Sequence, residues 1–169
     1  FNKASGNVEA DAGGAAAGAT TPIVFDQWVE IKVVIDLTAD WCQFYYNGVL
    51  LDDPLVADHP TLGGGYTWTG GPGGGSAGPL NIAAVDLFAN GATSVFYDEI
   101  LLVPETAWFD TIDTYAAGSS LVNQGGWEEW GPGAGANTAA NPAYGPGNSI
   151  DINGAADLVH QYSGYTSGK

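Results

Sequence analysis

The chain of 169 residues has no arginine and no methionine, three lysines (Lys3, Lys32 and Lys169), two histidines and one cysteine. Its net charge of −16 leaves no basic footprint with which to neutralise phosphates, so nucleic-acid binding is excluded as an expectation. Docking on anionic lipid is disfavoured for the same reason. The lone Cys42 rules out an intrachain disulfide framework. It precedes the strand-like Gln43–Tyr46, a setting that suits a small buried hydrophobe. No run reaches the ~18 apolar residues of a membrane span, and no membrane insertion is expected. Phe1-Asn2-Lys3 leads into a Gly/Ala-rich stretch without the pattern of a signal peptide, as in a mature chain or a fragment.

What is present describes a globular protein. Hydrophobic residues make up 45% and aromatic residues 12% of the chain, and the length suits about one domain with a core of its own. Acidic charge, scarce lysine and many Gly, Asn, Thr and aromatic residues fit an extracellular or cell-surface protein.

Strand patterns dominate. Val29, Ile31, Val33, Ile35 and Leu37 alternate with Glu30, Lys32, Val34 and Asp36, a period of two with one apolar face. Gln43–Tyr46 runs into Asn47-Gly48 and resumes at Val49-Leu50-Leu51, a strong hairpin signal. Further strands are expected in Leu80–Phe88 and Thr93–Val103, joined by a turn at Asn90-Gly91, and in Trp108–Ile112, Ser149–Ile152 and Leu158–Tyr162. Three low-complexity stretches, Ala12–Thr21, Gly63–Gly78 and Gly131–Gly147, read as long surface loops. Many short strands with glycine-rich turns and no helical periodicity argue for an antiparallel β-sandwich.

Trp28-Val29-Glu30-Ile31 with Ile35-Asp36-Leu37, then Phe44-Tyr45-Tyr46-Asn47-Gly48, then Val95-Phe96-Tyr97-Asp98-Glu99-Ile100 resemble the C-terminal half of a concanavalin A-like (lectin/glucanase, laminin-G-like) jelly roll. Leu80–Ile100, with Asp86-Leu87-Phe88-Ala89-Asn90-Gly91 inside it, resembles versions found in large extracellular proteins of planctomycete-type bacteria. Phe109-Asp110-Thr111-Ile112-Asp113, Gln124-Gly125-Gly126-Trp127 and Gly147–Ile152 are similar to the start of such a domain. The family order is thus inverted: residues 1–103 are C-terminal-half-like, 104–106 form the join and 107–169 are N-terminal-half-like. The resemblance implies an antiparallel jelly-roll sandwich that is permuted or is completed by a neighbouring chain. Strands missing from a sandwich leave open sheet edges, and open edges recruit other chains. Self-association through sheet edges is therefore expected, and a contact that does not close on itself builds a filament.

Chemistry-bearing residues are few. The family's glucanases use a carboxylate cluster of the form Glu-x-Asp-x-x-Glu, and retention requires an acid and a nucleophile ~5–5.5 Å apart. Here Glu9-Ala10-Asp11 is followed by Gly14 at the required offset, and Glu128 and Glu129 are adjacent, so a strand would point them to opposite faces. No nucleophile elbow is present, and His59 and His160 read as structural. The expectation is a non-enzymatic chain.

Hard cations such as calcium take several oxygen ligands. The join places Asp98 and Glu99 before it and Asp110 and Asp113 after it. In similar modules a structural calcium ties the opening strand to the closing one, so these four are the first candidate metal ligands, with Glu99 standing where a second Asp is usual. Asp86 with Asn90 is a second candidate, followed by Asp52-Asp53 and by Asp151, Asn153 and Asp157. Tyr66, Trp68, Trp127, Trp130 and Tyr144 lie in or beside glycine-rich stretches, where exposed rings would stack on the apolar faces of a polysaccharide. The leading expectation is a structural module of an extracellular assembly, with a carbohydrate-binding or adhesion module as the alternative and a glucanase remnant third.

Overall fold

Asn47 and Gly48 adopt φ of 49° and 75°, the left-handed pair that a two-residue hairpin turn requires. The turn joins β4 (Trp41–Tyr46) to β5 (Val49–Leu50), and β3 (Ile31–Asp36) pairs antiparallel with the other side of β4. The turn between β3 and β4 is held by the Asp36 carboxylate, whose Oδ1 accepts from the Thr38 and Ala39 N–H groups at 3.0 Å each. These elements belong to a computed structural model that describes residues 1–2, 4–10, 19–70, 80–88, 94–103, 108–130, 137–154 and 156–167. Every regular element among the described residues is a strand and none is a helix, so the chain is all-β. Its several small sheets are compatible with a β-sandwich.

The chain divides into two compact units, Phe1–Ile82 with Tyr165–Lys169, and Ala83–Gly164. The first holds a hairpin of β1 (Asn7–Glu9) and β2 (Thr20–Pro22), and the sheet β3-β4-β5 with β6 (Tyr66–Thr67) also paired to β4. Its core comprises Val8, Ala10, Ala19, Cys42, Tyr46, Leu51 and Tyr66. Cys42 is buried and free, and burial pushes its thiol up to about 11, with the Asp40 charge adding to the effect. It is the small buried hydrophobe its sequence setting suggests.

Apart from the end residues Ile82 and Tyr165, the second unit contains β7 (Ile82–Phe88), β8 (Val95–Tyr97), β9 (Ile100–Leu102), β10 (Trp108–Asp110), β11 (Trp127–Glu129), β12 (Asn137–Ala139), β13 (Ser149–Ile152) and β14 (Asp157–Tyr165). Strand order is β11-β14-β7 in one sheet and β12-β13-β8 in another, and β9 pairs with β10. The core gathers Leu87, Ile112, Leu121, Trp127, Ile150, Ile152 and Leu158.

Two sequence expectations change. Thr93–Val103 is two strands, because Asp98-Glu99 breaks the run and Glu99 takes a φ of 53°. The low-complexity stretches are not loops throughout. Their described parts include β2, β6 and β12, two- and three-residue strands that satisfy the backbone groups of better-formed neighbours. The Asn90-Gly91 turn lies outside the described residues.

Candidate functional site

The four join carboxylates take separate duties. Antiparallel pairing sets Asp110 opposite Ile100, two residues beyond Asp98. Asp98 accepts from the Glu99 N–H at 2.9 Å and from the Tyr144 N–H at 2.8 Å. Glu99 is exposed. Asp113 accepts from the Asn148 N–H at 3.1 Å. Asp110 is buried and accepts three hydrogen bonds: Oδ1 from the Ile112 N–H (2.9 Å), and Oδ2 from the Tyr115 hydroxyl (2.7 Å) and the Trp127 Nε1–H (2.9 Å). Both its oxygens serve protein donors. Burial, the hydrogen bond and the Asp110 charge together push the Tyr115 hydroxyl up to about 12. Among the described residues no three His, Cys, Asp or Glu side chains converge as a metal-holding group.

The structure does bring together two acids from separate secondary candidates. Asp86 on β7 faces Asp157 on the neighbouring β14. Burial, a hydrogen bond shared with Asp157 and the Asp157 charge raise the Asp86 carboxyl from 3.8 to about 6. The Asp157 Oδ1 is enclosed and has no hydrogen-bond partner. Tyr97 lies close to the pair, and its hydroxyl is pushed up by burial and then by the Asp86 charge. Two carboxyls in such contact share a proton more readily than they both ionise. Asn90 lies outside the described residues.

The five candidate stacking aromatics separate by burial. Trp127 is fully enclosed, packed edge-on against Trp108 at 5.5 Å. Tyr66 is also enclosed. Trp68 packs against the core of its unit and donates Nε1–H to the Asn81 carbonyl at 2.8 Å. Of the five, Trp130 is 58% exposed and Tyr144 64% exposed. His160 is a core residue, stacked on Trp108 at 4.1 Å and Tyr162 at 4.9 Å. Gly126, at a φ of 87°, leaves room for its ring, since a Cβ there would lie 2.8 Å from Nε2. His59 organises its own turn by accepting from the Thr61 and Leu62 N–H groups at Nδ1.

No family model matches the chain, and no curated protein or solved structure shows significant similarity to it.

An exposed apolar feature of the first unit lies along β3. Among the described residues this strand is paired on one side only. The Asn47 N–H donates to the Glu30 carbonyl at 2.9 Å, which fixes the alternation of the ladder. Lys32, Val34 and Asp36 turn their backbone groups toward β4, and Ile31, Val33 and Ile35 turn theirs to the open side. The same three side chains share a face with Cys42, Phe44 and Tyr46 by register. Cys42 and Tyr46 are buried there, yet Ile31 stays 51% and Val33 42% exposed. A cavity of about 350 Å³ opens at this end, lined among others by Phe1, Val8, Ala10, Ile31, Phe44 and Leu51. The core face of the sheet is thus uncovered where β3 begins. Sequence alternation identified that face, and only the sheet order shows that nothing described covers its end.

Proposed function

We propose that this chain is a non-enzymatic structural module of an extracellular assembly, a concanavalin A-like jelly roll that associates with further copies by strand addition at β3. One observation carries the reading: β3 is a six-residue edge with outward backbone groups and an uncovered apolar face. Edges of this kind are normally shortened, charged or capped to prevent pairing. A second copy suits the edge by register. Antiparallel pairing with Val34 opposite Val34 sets Val33 across from Ile35 on both sides, with their outward backbone groups facing each other. It also returns water-exposed Ile31 and Val33 to an apolar environment. Growth beyond a pair uses a second open edge, and among the described residues β8 is an outer strand of its sheet.

The test is light scattering behind a sizing column over a concentration series. The wild-type chain forms dimers or larger species as concentration rises. Val33→Pro removes one outward N–H and leaves the ladder to β4 intact, so it yields a folded monomer near 17.3 kDa. A wild-type monomer at all concentrations, or undiminished assembly of Val33→Pro, refutes the reading.

A second reading, a carbohydrate-binding module, is favoured by the exposed rings of Trp130 and Tyr144. Such rings stack on sugar faces without cost to the core.

A further inference from the structure

We propose that His59 is a pH-sensitive latch: uptake of a second proton by its ring breaks the 59–63 turn and loosens the hold of the following strand, β6, on β4. The turn is closed in two ways. His59 and Gly63 exchange backbone hydrogen bonds, N–H to carbonyl in each direction, at 3.0 Å. Within the turn, the Thr61 and Leu62 N–H groups both donate to the imidazole Nδ1, at 3.3 and 3.2 Å. A backbone N–H only donates, so Nδ1 must accept, and the ring is the neutral tautomer with its proton on Nε2.

A second proton has one place to go. On Nδ1 it turns the acceptor of two backbone bonds into a donor that faces two donors. The Thr61 hydroxyl, also 3.3 Å from Nδ1, can rotate and accept, but the two N–H groups cannot. The ring has reason to stay where it is. It lies over Trp41 of β4 with centroids 5.4 Å apart, and an indole face attracts a cation. The turn therefore gives way rather than the ring. His59 is half-buried and Thr61 exposed, so water reaches the turn and takes up the released N–H groups.

The turn leads directly into β6. Gln43 of β4 donates Nε2–H to the Leu62 carbonyl at 3.2 Å and to the Gly64 carbonyl at 2.7 Å, and Tyr66 and Thr67 then pair with Cys42 and Trp41. A strand of two residues has little pairing of its own and depends on the segment that delivers it. The charged groups on the surrounding elements are acids. Asp58 precedes His59 and is exposed. Asp40, next to Trp41, accepts from the Thr69 N–H and hydroxyl at 2.8 and 2.7 Å. Asp52 packs its carboxylate against Gly64, and Asp53 accepts from the Leu55 N–H at 2.9 Å. Burial above all pushes the Cys42 thiol up to about 11 and the Tyr66 hydroxyl up to about 12. Both therefore stay neutral across the range in which histidines change charge, about pH 5 to 8.

The experiment is hydrogen exchange of the full chain, read by mass spectrometry at about pH 5 and about pH 8 and corrected for the intrinsic rates of an unstructured peptide. In the wild type the protection of residues 59–67 falls at least about tenfold at the lower pH, since two hydrogen bonds lose their acceptor, while that of Ile31–Asp36 holds. His59→Asn sets an amide oxygen where Nδ1 stood, as in the turns that Asn closes with its own side chain, and keeps the protection at both values. His59→Ala lacks it at both. Asp86 titrates in the same range, at about 6, but it lies outside the segment that is read. Wild-type protection that is equal at both values overturns the proposal, as does a pH dependence that survives in His59→Asn or protection that survives in His59→Ala. Should the variants fail to fold, proton NMR of the wild type decides. The Thr61 and Leu62 amide resonances move with the same midpoint as the His59 ring protons, and amides that stay fixed while the ring titrates overturn the proposal.

Discussion

Replacing Asp110 should destabilise the second unit far more than replacing any other acid at the join. The carboxylate accepts from three donors in different settings. Trp127 is wholly enclosed, so without Asp110 its Nε1–H loses its partner and has no access to water, a penalty of about 1–3 kcal/mol. The Ile112 N–H is also buried, and Ile112 is a β-branched residue held at a φ of 66°, a conformation that costs about 1–3 kcal/mol and persists only when its surroundings enforce it. Tyr115 is half-buried, so water can replace most of its bond. Asp110→Ala should therefore cost about 3–5 kcal/mol, a large share of the ~5–15 kcal/mol that holds a typical domain. Asp110→Asn keeps the shape and one acceptor oxygen, yet sets its amide against a donor, and should cost about 2–3 kcal/mol. Urea unfolding followed by tryptophan fluorescence measures both losses. Adding Trp127→Phe to Asp110→Asn removes the stranded indole donor, and the double-mutant cycle should show a coupling of about 1–2 kcal/mol. The losses should be equal in EDTA and in calcium, because the oxygens are occupied by protein donors. A cost of Asp110→Ala below about 1 kcal/mol, or a loss that disappears in EDTA, would refute the reasoning.

The Asp86–Asp157 contact predicts a pH signature. The folded carboxyl of Asp86 titrates at about 6 against a usual 3.8, so its contribution is fully present below 3.8 and is lost as pH rises through 6. Asp86→Asn should match the wild type at pH 3.5, melt higher at pH 7.5 and flatten the slope between; parallel melting curves at every pH would rule the contact out. For the carbohydrate reading, Trp130→Ala with Tyr144→Ala should leave the melting temperature within a degree or so, since both rings are exposed, and abolish any retardation in polysaccharide affinity gels. Retardation that survives the double substitution would remove these rings from the binding surface.

How far the sequence reaches is decided by the range of the interactions involved. The hairpin at Asn47-Gly48 was legible because two left-handed residues must be adjacent, and β13 was legible as a short apolar alternation bounded by Gly147 and Gly154. Both are local. The strands β2, β6 and β12 were not legible, since Thr20–Pro22, Tyr66–Thr67 and Asn137–Ala139 become strands through partners elsewhere in the chain. The same distinction separates the acids. Asp86 and Asp157 could be flagged singly but their contact depends on β7 and β14 being neighbours, a pairing that no local pattern encodes. Asp110 carries an acidic side chain into a core, and its three donors arrive from the residues that follow it, whereas the sequence offered only its place at the join and a resemblance from which to name it a candidate cation ligand.

The edge at β3 shows why partial legibility matters for function. Its alternation states that one face is apolar, and a complete sandwich would hide that face along its whole length. The burial instead grades along the strand, from Ile31 and Val33 in water to a half-buried Ile35 and a buried Leu37 beyond the strand's end. A gradient of that kind is what a sheet shows when its cover stops short. Shielding it within one chain would need a further apolar element over Ile31, and the described residues contain none. In the proposed assembly a second copy supplies one, against the loss of translational and rotational freedom, the ordering of interface side chains and the desolvation of polar groups.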